Sequence, residues 1–289
     1  MTSLTGFLTP RCILGGHIRP KIRPSTHPQP FHFSTSATTP DPIWGLRKVV
    51  ITVSSANPRI LHVVTNVDHY AAKPDRATGL WLSELTHAWD IFANLGFEQT
   101  IVSPRGGYSP IEPQSLKFPF FDASAKAWHS DPSHMALLGT TSKPEDIDPN
   151  DYDAIYFTGG HGVMFDFPDS EGLQSITQTI WNNGGVVSAV CHGYAGLLNT
   201  TDGNGTPLVS GRNLTGFSWA EEIAAMVSKM VPYNVEEEIQ KRGAKYSKNI
   251  VPFTSNVVVD GRLVTGQNPT SAKATATKVA ELVTSRAQK

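Results

Sequence analysis

From Pro58 onward, short apolar runs alternate with stretches in which apolar residues recur every three or four positions. Residues 60–65 have the length and apolar content of a strand buried on both faces. After a polar loop, Gly79 opens a helical pattern. Trp81, Leu85, Ala88, Phe92 and Leu95 follow at steps of four and three, and Gly96 supplies the stop. Strands are predicted again at 97–102, 154–158 and 186–190. A helix marked by Leu173, Ile176 and Ile180 ends at the Asn-Asn-Gly-Gly run of 182–185. The proline-bearing stretch 108–150 reads as a long loop covering the face where a site would lie. Residues 214–217 read as a strand, and 257–264 as a hairpin around Asp260–Gly261. The last helix starts at Asn268–Pro269, with asparagine as the cap and proline at the first helical position, and runs through Ala272, Val279, Leu282 and Val283. The βαβα order predicts one α/β domain over 58–289, with an open, mostly parallel sheet and helices on both faces.

Composition narrows the classes. A chain of 289 residues, 39% hydrophobic, buries one sizeable core or at most two small ones. A net charge of −1 gives no electrostatic footprint for nucleic acid, and no apolar run approaches the ~18 residues of a bilayer span, so neither partner is expected. Two cysteines, Cys12 and Cys191, are too few for a disulfide scaffold and point to a free thiol in a reducing compartment. Residues 1–57 read as a leader. The first forty carry Arg11, Arg19, Lys21 and Arg23, no acidic residue, and a Ser/Thr-rich end, the composition of a mitochondrial transit peptide. The four prolines between 20 and 30 break any long amphipathic helix there, which fits a disordered extension equally well. The expected location is cytoplasmic or mitochondrial.

The chemistry concentrates where the 186–190 strand stops at Cys191-His192-Gly193. A cysteine at a strand-to-helix turn occupies a strained nucleophile elbow with its sulfur exposed, and a helix N-terminus behind it favours the thiolate. The alternative is a buried structural cysteine. Gly159–Gly160 follows the preceding strand, and such a turn lets backbone N–H groups approach a reacting oxygen; Gly160 N–H and His192 N–H are the candidate oxyanion donors, against a plain tight turn. His161, Phe165 and His87 are further candidates for the pocket wall, each with a structural alternative. The ten histidines show no His-x-x-x-His spacing, and there is no Gly-x-x-x-x-Gly-Lys loop or dinucleotide fingerprint, so no metal and no cofactor are expected.

Ser103-Pro104-x-Gly106-Gly107, the 154–162 segment ending Thr-Gly-Gly-His-Gly, Ala189-Val190-Cys191-His192-Gly193, Thr215-Gly216-Phe217 with two glutamates following, and the 260–269 segment together resemble the ThiJ/PfpI superfamily of class I glutamine amidotransferase-like domains. Within it, the chain resembles the heat-shock chaperone-like branch with glutathione-independent glyoxalase III (D-lactate dehydratase) activity. The resemblance covers about 58–283. It implies a flavodoxin-like fold, Cys191 as nucleophile, His192 as its histidine, Glu222 as the acid behind it, with Glu221 the rival by one residue, and Glu84 as the carboxyl meeting the cysteine. Spacing places Glu84 on the inward stripe of its helix, where burial raises a carboxyl pKa. Neighbouring side chains diverge, so His192 is not expected to bond the Cys191 sulfur trivially. The implied substrate is a small 2-oxoaldehyde, methylglyoxal above all, turned over by a cofactor-free lyase; a homodimer is the expected assembly. Two rivals share the scaffold: a cysteine peptidase or amidase, and a holding chaperone or oxidant sensor with an oxidisable Cys191.

Overall fold

The computed structural model describes residues 57–287. The expectations for a leader concern residues outside this range, apart from Asn57. The strands are β1 (Arg59–Val63), β2 (His69–Tyr70), β3 (Lys73–Ala77), β4 (Glu98–Val102), β5 (Ala154–Phe157), β6 (Val186–Val190), β7 (Asn213–Leu214), β8 (Lys245–Tyr246), β9 (Val257–Asp260) and β10 (Leu263–Gly266). The helices are α1 (Leu82–Asn94), α2 (Ala123–Ser130), α3 (Pro132–Gly139), α4 (Val163–Asp166), α5 (Glu171–Asn182), α6 (Trp219–Ala224), α7 (Val235–Lys241) and α8 (Ala272–Ala287). The main sheet has the order β4-β1-β5-β6-β10-β9, parallel throughout except for the β9–β10 hairpin at one edge. It is the expected α/β arrangement.

Strand alternation sorts the core into two layers. Ile60, Tyr156, Val186 and Val264 pack with Ala88 and Phe92 of α1 and with Ala276 and Val279 of α8. Their neighbours Leu61, Val63, Ile155, Phe157 and Val187 face the opposite way, onto Leu173, Ile176 and Ile180 of α5. Both faces are covered, so the strands are apolar on both sides rather than alternating with polar residues.

Three expectations are corrected. Residues 108–150 are not a bare loop: they hold α2 and α3 and pack Ala125, Trp128 and Leu138 into a third apolar cluster with Val64, Leu82 and Leu85. Four of their prolines, Pro113, Pro132, Pro144 and Pro149, start helical turns instead of interrupting them. Asp131 accepts from Ser133 N–H at 2.8 Å with Pro132 at the first helical position. The 214–217 strand shrinks to β7, which pairs with β8 in a separate two-stranded sheet. Residues beyond it turn across the end of the main sheet, where Phe217 N–H donates to Cys191 O at 3.2 Å. Finally, α8 begins at Ala272 after a 3-10 turn over Pro269–Ser271, and Asn268 does not cap it in the way expected. The Asn268 amide instead donates to Glu221 Oε1 at 2.9 Å and Thr254 O at 2.8 Å.

His62 sits fully buried in the middle of β1, against Trp89, Phe92 and Tyr156. Its Nε2–H donates to Gln99 Oε1 at 2.8 Å and Nδ1 has no partner, so it is held as the neutral ring. Burial pushes its pKa down to about 4 from 6.5, against the pull of Gln99. In the unfolded chain this ring takes a proton near pH 6.5, while the folded one resists until about 4. The unfolded state therefore binds more protons across that window, and stability contributed by His62 is lost as pH falls through it. Urea unfolding at pH 7 and pH 4.5 should show a smaller acid loss in His62→Phe than in the parent.

Candidate active site

The carboxyl end of β6 supplies the centre. Cys191 follows Val190 directly with φ +56°, a left-handed conformation that is uncommon outside glycine, and the next residues coil into a 3-10 turn over Cys191–Leu197. That is elbow geometry. It also turns His192 back towards its neighbour: the Cys191 thiol meets His192 Nδ1 at 3.3 Å, although adjacent side chains were expected to diverge. The left-handed Cys191 backbone and the tight turn swing the two side chains to one side.

The imidazole tautomer follows from the other nitrogen. His192 Nε2–H donates to Glu222 Oε1 at 2.5 Å, which leaves the Nδ1 lone pair facing the thiol. Glu222 Oε2 accepts from His161 Nε2–H at 3.2 Å, and the two imidazole rings lie 4.4 Å apart. Burial by itself would raise Glu222, but His192 and His161 outweigh it and hold the carboxylate well below its usual range. Burial pushes His192 down against the pull of Glu222, so the ring is neutral and basic at Nδ1.

The adjacent glutamates are told apart by the structure. Glu221 never reaches His192. Its Oε2 accepts from Ser218 N–H, Ser218 Oγ and Gln267 Nε2, and its Oε1 from Phe253 N–H and Asn268 Nδ2. It closes a capping box at the start of α6 and ties the 253 and 267–268 segments to it.

Glu84, in the first turn of α1, is fully buried behind the cysteine. Gly159 N–H donates to its Oε2 at 2.7 Å, while Trp81 N–H donates back to Gly159 O at 3.0 Å, so the start of α1 and the glycine turn are laced together. Oε1 has no hydrogen-bond partner, and the carboxyl's remaining polar neighbour is the Cys191 thiol. Burial raises Glu84 to about 8, so near neutrality it is the protonated acid. The backbone N–H behind the elbow favours the Cys191 thiolate as expected, but it is outweighed. Burial first, and the Glu84 carboxylate that forms above about pH 8 second, push the thiol up, with His192 N–H opposing them.

The two glycines are required by close approach. A Cβ on Gly159 would stand 2.7 Å from Glu84 Oε2 and 2.8 Å from Cys191 Cβ, and one on Gly160 only 2.1 Å from Gly79 O. Gly160 N–H makes no hydrogen bond among the described residues and lines the same cavity as Cys191, of about 410 Å³, together with Trp81, His161, His192 and Phe217. Phe165 and His87 do not line it. Phe165 packs edge-on against Tyr70, and His87 bonds Asp122 at 2.5 Å on the α1 surface. Sequence spacing missed one grouping: donor atoms of His161, His192 and Glu222 lie within 4.8 Å of one another, a two-histidine, one-carboxylate set drawn from three elements. The histidine–carboxylate hydrogen bonds use the same atoms, so an ion would have to part them.

Residues 77–282 match the family model described as the DJ-1/PfpI family. The chain belongs to the DJ-1/PfpI family. It is similar to Glyoxalase 3 of Candida albicans, 33% identical over 228 residues that span 76% of this chain and 96% of that protein. It is likewise similar to the glutathione-independent glyoxalase HSP31 of Saccharomyces cerevisiae, 33% identical over 230 residues, 77% of this chain and 97% of that one. Among solved structures, glyoxalase III from Candida albicans superposes with a TM-score of 0.71 at 32% identity, over 78% of this chain and 97% of that one. The Rapid Encystment Protein of 24 kDa from Francisella tularensis superposes at 0.74 with 34% identity, over 78% and 99%.

Two outcomes follow from the carboxyls. Glu84→Gln removes the carboxylate that forms above about pH 8 and opposes the thiolate, and the pH midpoint for iodoacetamide labelling of Cys191, followed by mass spectrometry, should move down. Glu221→Gln places an NH2 group among buried donors and should cost about 1–3 kcal/mol in urea unfolding. Glu222→Gln, at the imidazole, should cost activity more than stability.

Proposed function

We propose that this chain is a glutathione-independent glyoxalase that converts methylglyoxal to lactate, in the D form that the resemblance implies, through a covalent Cys191 intermediate. One observation carries the reading. The Cys191 thiol opens on the cavity with a neutral histidine lone pair 3.3 Å away and a buried carboxylic acid on its other side. The relatives named as glyoxalases supply the reaction class.

In the first step the sulfur adds to the aldehyde carbon, C1. His192 Nδ1 takes the thiol proton as the C–S bond forms and passes it to the former carbonyl oxygen, giving a hemithioacetal. Glu222 holds the imidazole in the required tautomer and stabilises it while charged. Gly160 N–H and His192 N–H supply donors for the oxygen as charge develops there, an effect of roughly 3–4 kcal/mol per donor in comparable sites. A base then removes the C1 proton and C2 receives one through an enediol, so that C1 is oxidised to a thioester while the C2 ketone is reduced to an alcohol. Glu84 suits this step in its ionised form, which a carboxyl titrating near 8 reaches readily from neutrality and from which it can return the proton to C2. Water attacks the thioester, the C–S bond breaks, and lactate leaves with the thiol restored. Oxidation and reduction occur within one substrate, so the scheme calls for neither glutathione nor a redox cofactor.

Cys191→Ala keeps Cβ and the elbow but removes the nucleophile. Lactate formation from methylglyoxal, assayed without glutathione, should fall more than about a hundredfold, a barrier increase above ~2.7 kcal/mol. Near-UV circular dichroism should be unchanged. Residual turnover within about tenfold of the parent would remove Cys191 from the mechanism.

A further inference from the structure

Three non-glycine residues among those described have positive φ: Cys191 at +56°, Met226 at +58° and Phe253 at +62°. All three line the same cavity. Bulky side chains rarely adopt this conformation, and they keep it only where their surroundings impose it. Phe253 is imposed. Its N–H donates to buried Glu221 at 2.8 Å, and its carbonyl accepts from Thr270 Oγ at 3.0 Å. Met226 closes the turn after α6, the helix that carries Glu222, with its N–H donating to Ile223 O at 3.0 Å.

The strained backbones present apolar surface to the cavity. Met226 is 85% exposed, Phe253 43% and Phe120 42%, all large apolar side chains at the wall of a pocket. Trp81 and Phe120 meet edge-to-face at 5.0 Å, and Phe217 and Phe253 lie 6.2 Å apart at a tilt. Away from the Gly160, His161, Cys191 and His192 cluster, the lining is mostly apolar. A volume of about 410 Å³ falls in the range of roughly 300–1,000 Å³ that takes drug-sized ligands, far more than three-carbon methylglyoxal fills.

Resting on the glyoxalase reading of Cys191, we infer that the preferred substrates are 2-oxoaldehydes whose ketone carbon bears a bulky apolar or aromatic group, and that Met226 and Phe253 are the specificity-determining residues. The aldehyde carbon stands at the sulfur, and the substituent covers the exposed faces of Phe120, Met226 and Phe253. Burial of apolar surface on both partners then favours a phenyl over a methyl substituent.

The test uses the full chain without glutathione. kcat/KM for phenylglyoxal should exceed that for methylglyoxal by about tenfold or more. Met226→Ala and Phe253→Leu should each reduce that ratio at least about threefold; because both substrates are assayed on one sample, partial misfolding cancels. A parent ratio at or below one, or variants that lower both values equally, would overturn the proposal. Binding of two unreactive alcohols, 2-hydroxyacetophenone and hydroxyacetone, read by tryptophan fluorescence, separates this proposal from the glyoxalase reading. The aromatic alcohol should bind at least about tenfold tighter, with the preference reduced in both variants. Equal affinities would overturn the aromatic preference even in an active enzyme. Preferential binding without turnover of either aldehyde would refute the glyoxalase reading, and with it the substrate assignment that rests on it. A change of sedimentation coefficient in the variants with an unchanged substrate ratio would identify the apolar rim as a subunit contact and overturn the proposal.

Discussion

The left-handed backbone at Cys191 constrains everything around it. A residue bearing a Cβ holds that conformation only where its surroundings over-determine it, and here β6 lies inside a parallel sheet with β5 on one side and β10 on the other. The strand cannot shift to relieve the elbow. The adjoining turn makes room instead: Gly159 and Gly160 leave no Cβ where Cys191, Glu84 and Gly79 come close. The start of α1 is tied to that turn through Trp81 and Glu84, so a helix far upstream in sequence delivers a carboxyl to the sulfur.

Three of the buried glutamates, Glu84, Glu221 and Glu222, divide the work by environment. Glu84 meets one backbone N–H and a thiol in an apolar surround, and burial keeps it protonated near neutrality. Glu222 meets two imidazoles and stays a carboxylate. Glu221 accepts from two backbone N–H groups and three side chains, and belongs to the framework. Each carboxyl's proton affinity is set by the donors and charges that meet it, with the residue type held constant. The framework glutamate also bears on the pocket, since it holds Phe253 in its left-handed conformation beside the helix that carries Glu222. Cavity wall and charge network are thereby built from neighbouring residues of one segment.

Much of the fold was legible in the chain. Short apolar runs located the central strands, the three-or-four-residue period located α1 and α5, and Asp260–Gly261 marked the hairpin that ends the sheet. Local physics sufficed because those segments are long or strongly apolar. The short helices of 108–150 were not legible. With eight residues each, α2 and α3 show too few turns for a periodic signal, and Pro132 at the start of α3 looks the same in sequence as a proline in a loop.

For the site, the sequence by itself determined the elbow: an apolar strand stopping at Cys191-His192-Gly193 leaves few other geometries, and the inward stripe of α1 already carried Glu84. Tertiary structure decided the charges and the partners. Glu221 and Glu222 differ by one position, yet only the path of α6 past the elbow turns Glu222 onto His192 and Glu221 onto Asn268. The sign of the thiol shift was likewise decided in three dimensions. A helix terminus is visible in sequence, but the desolvation and the neighbouring carboxyl that outweigh it depend on what surrounds the sulfur. So does the grouping of His161 with His192 and Glu222, whose residues come from three separate elements. Periodicity reports one element against water. Proton affinity and side-chain pairing report the distances between elements, and those exist only once the chain has folded.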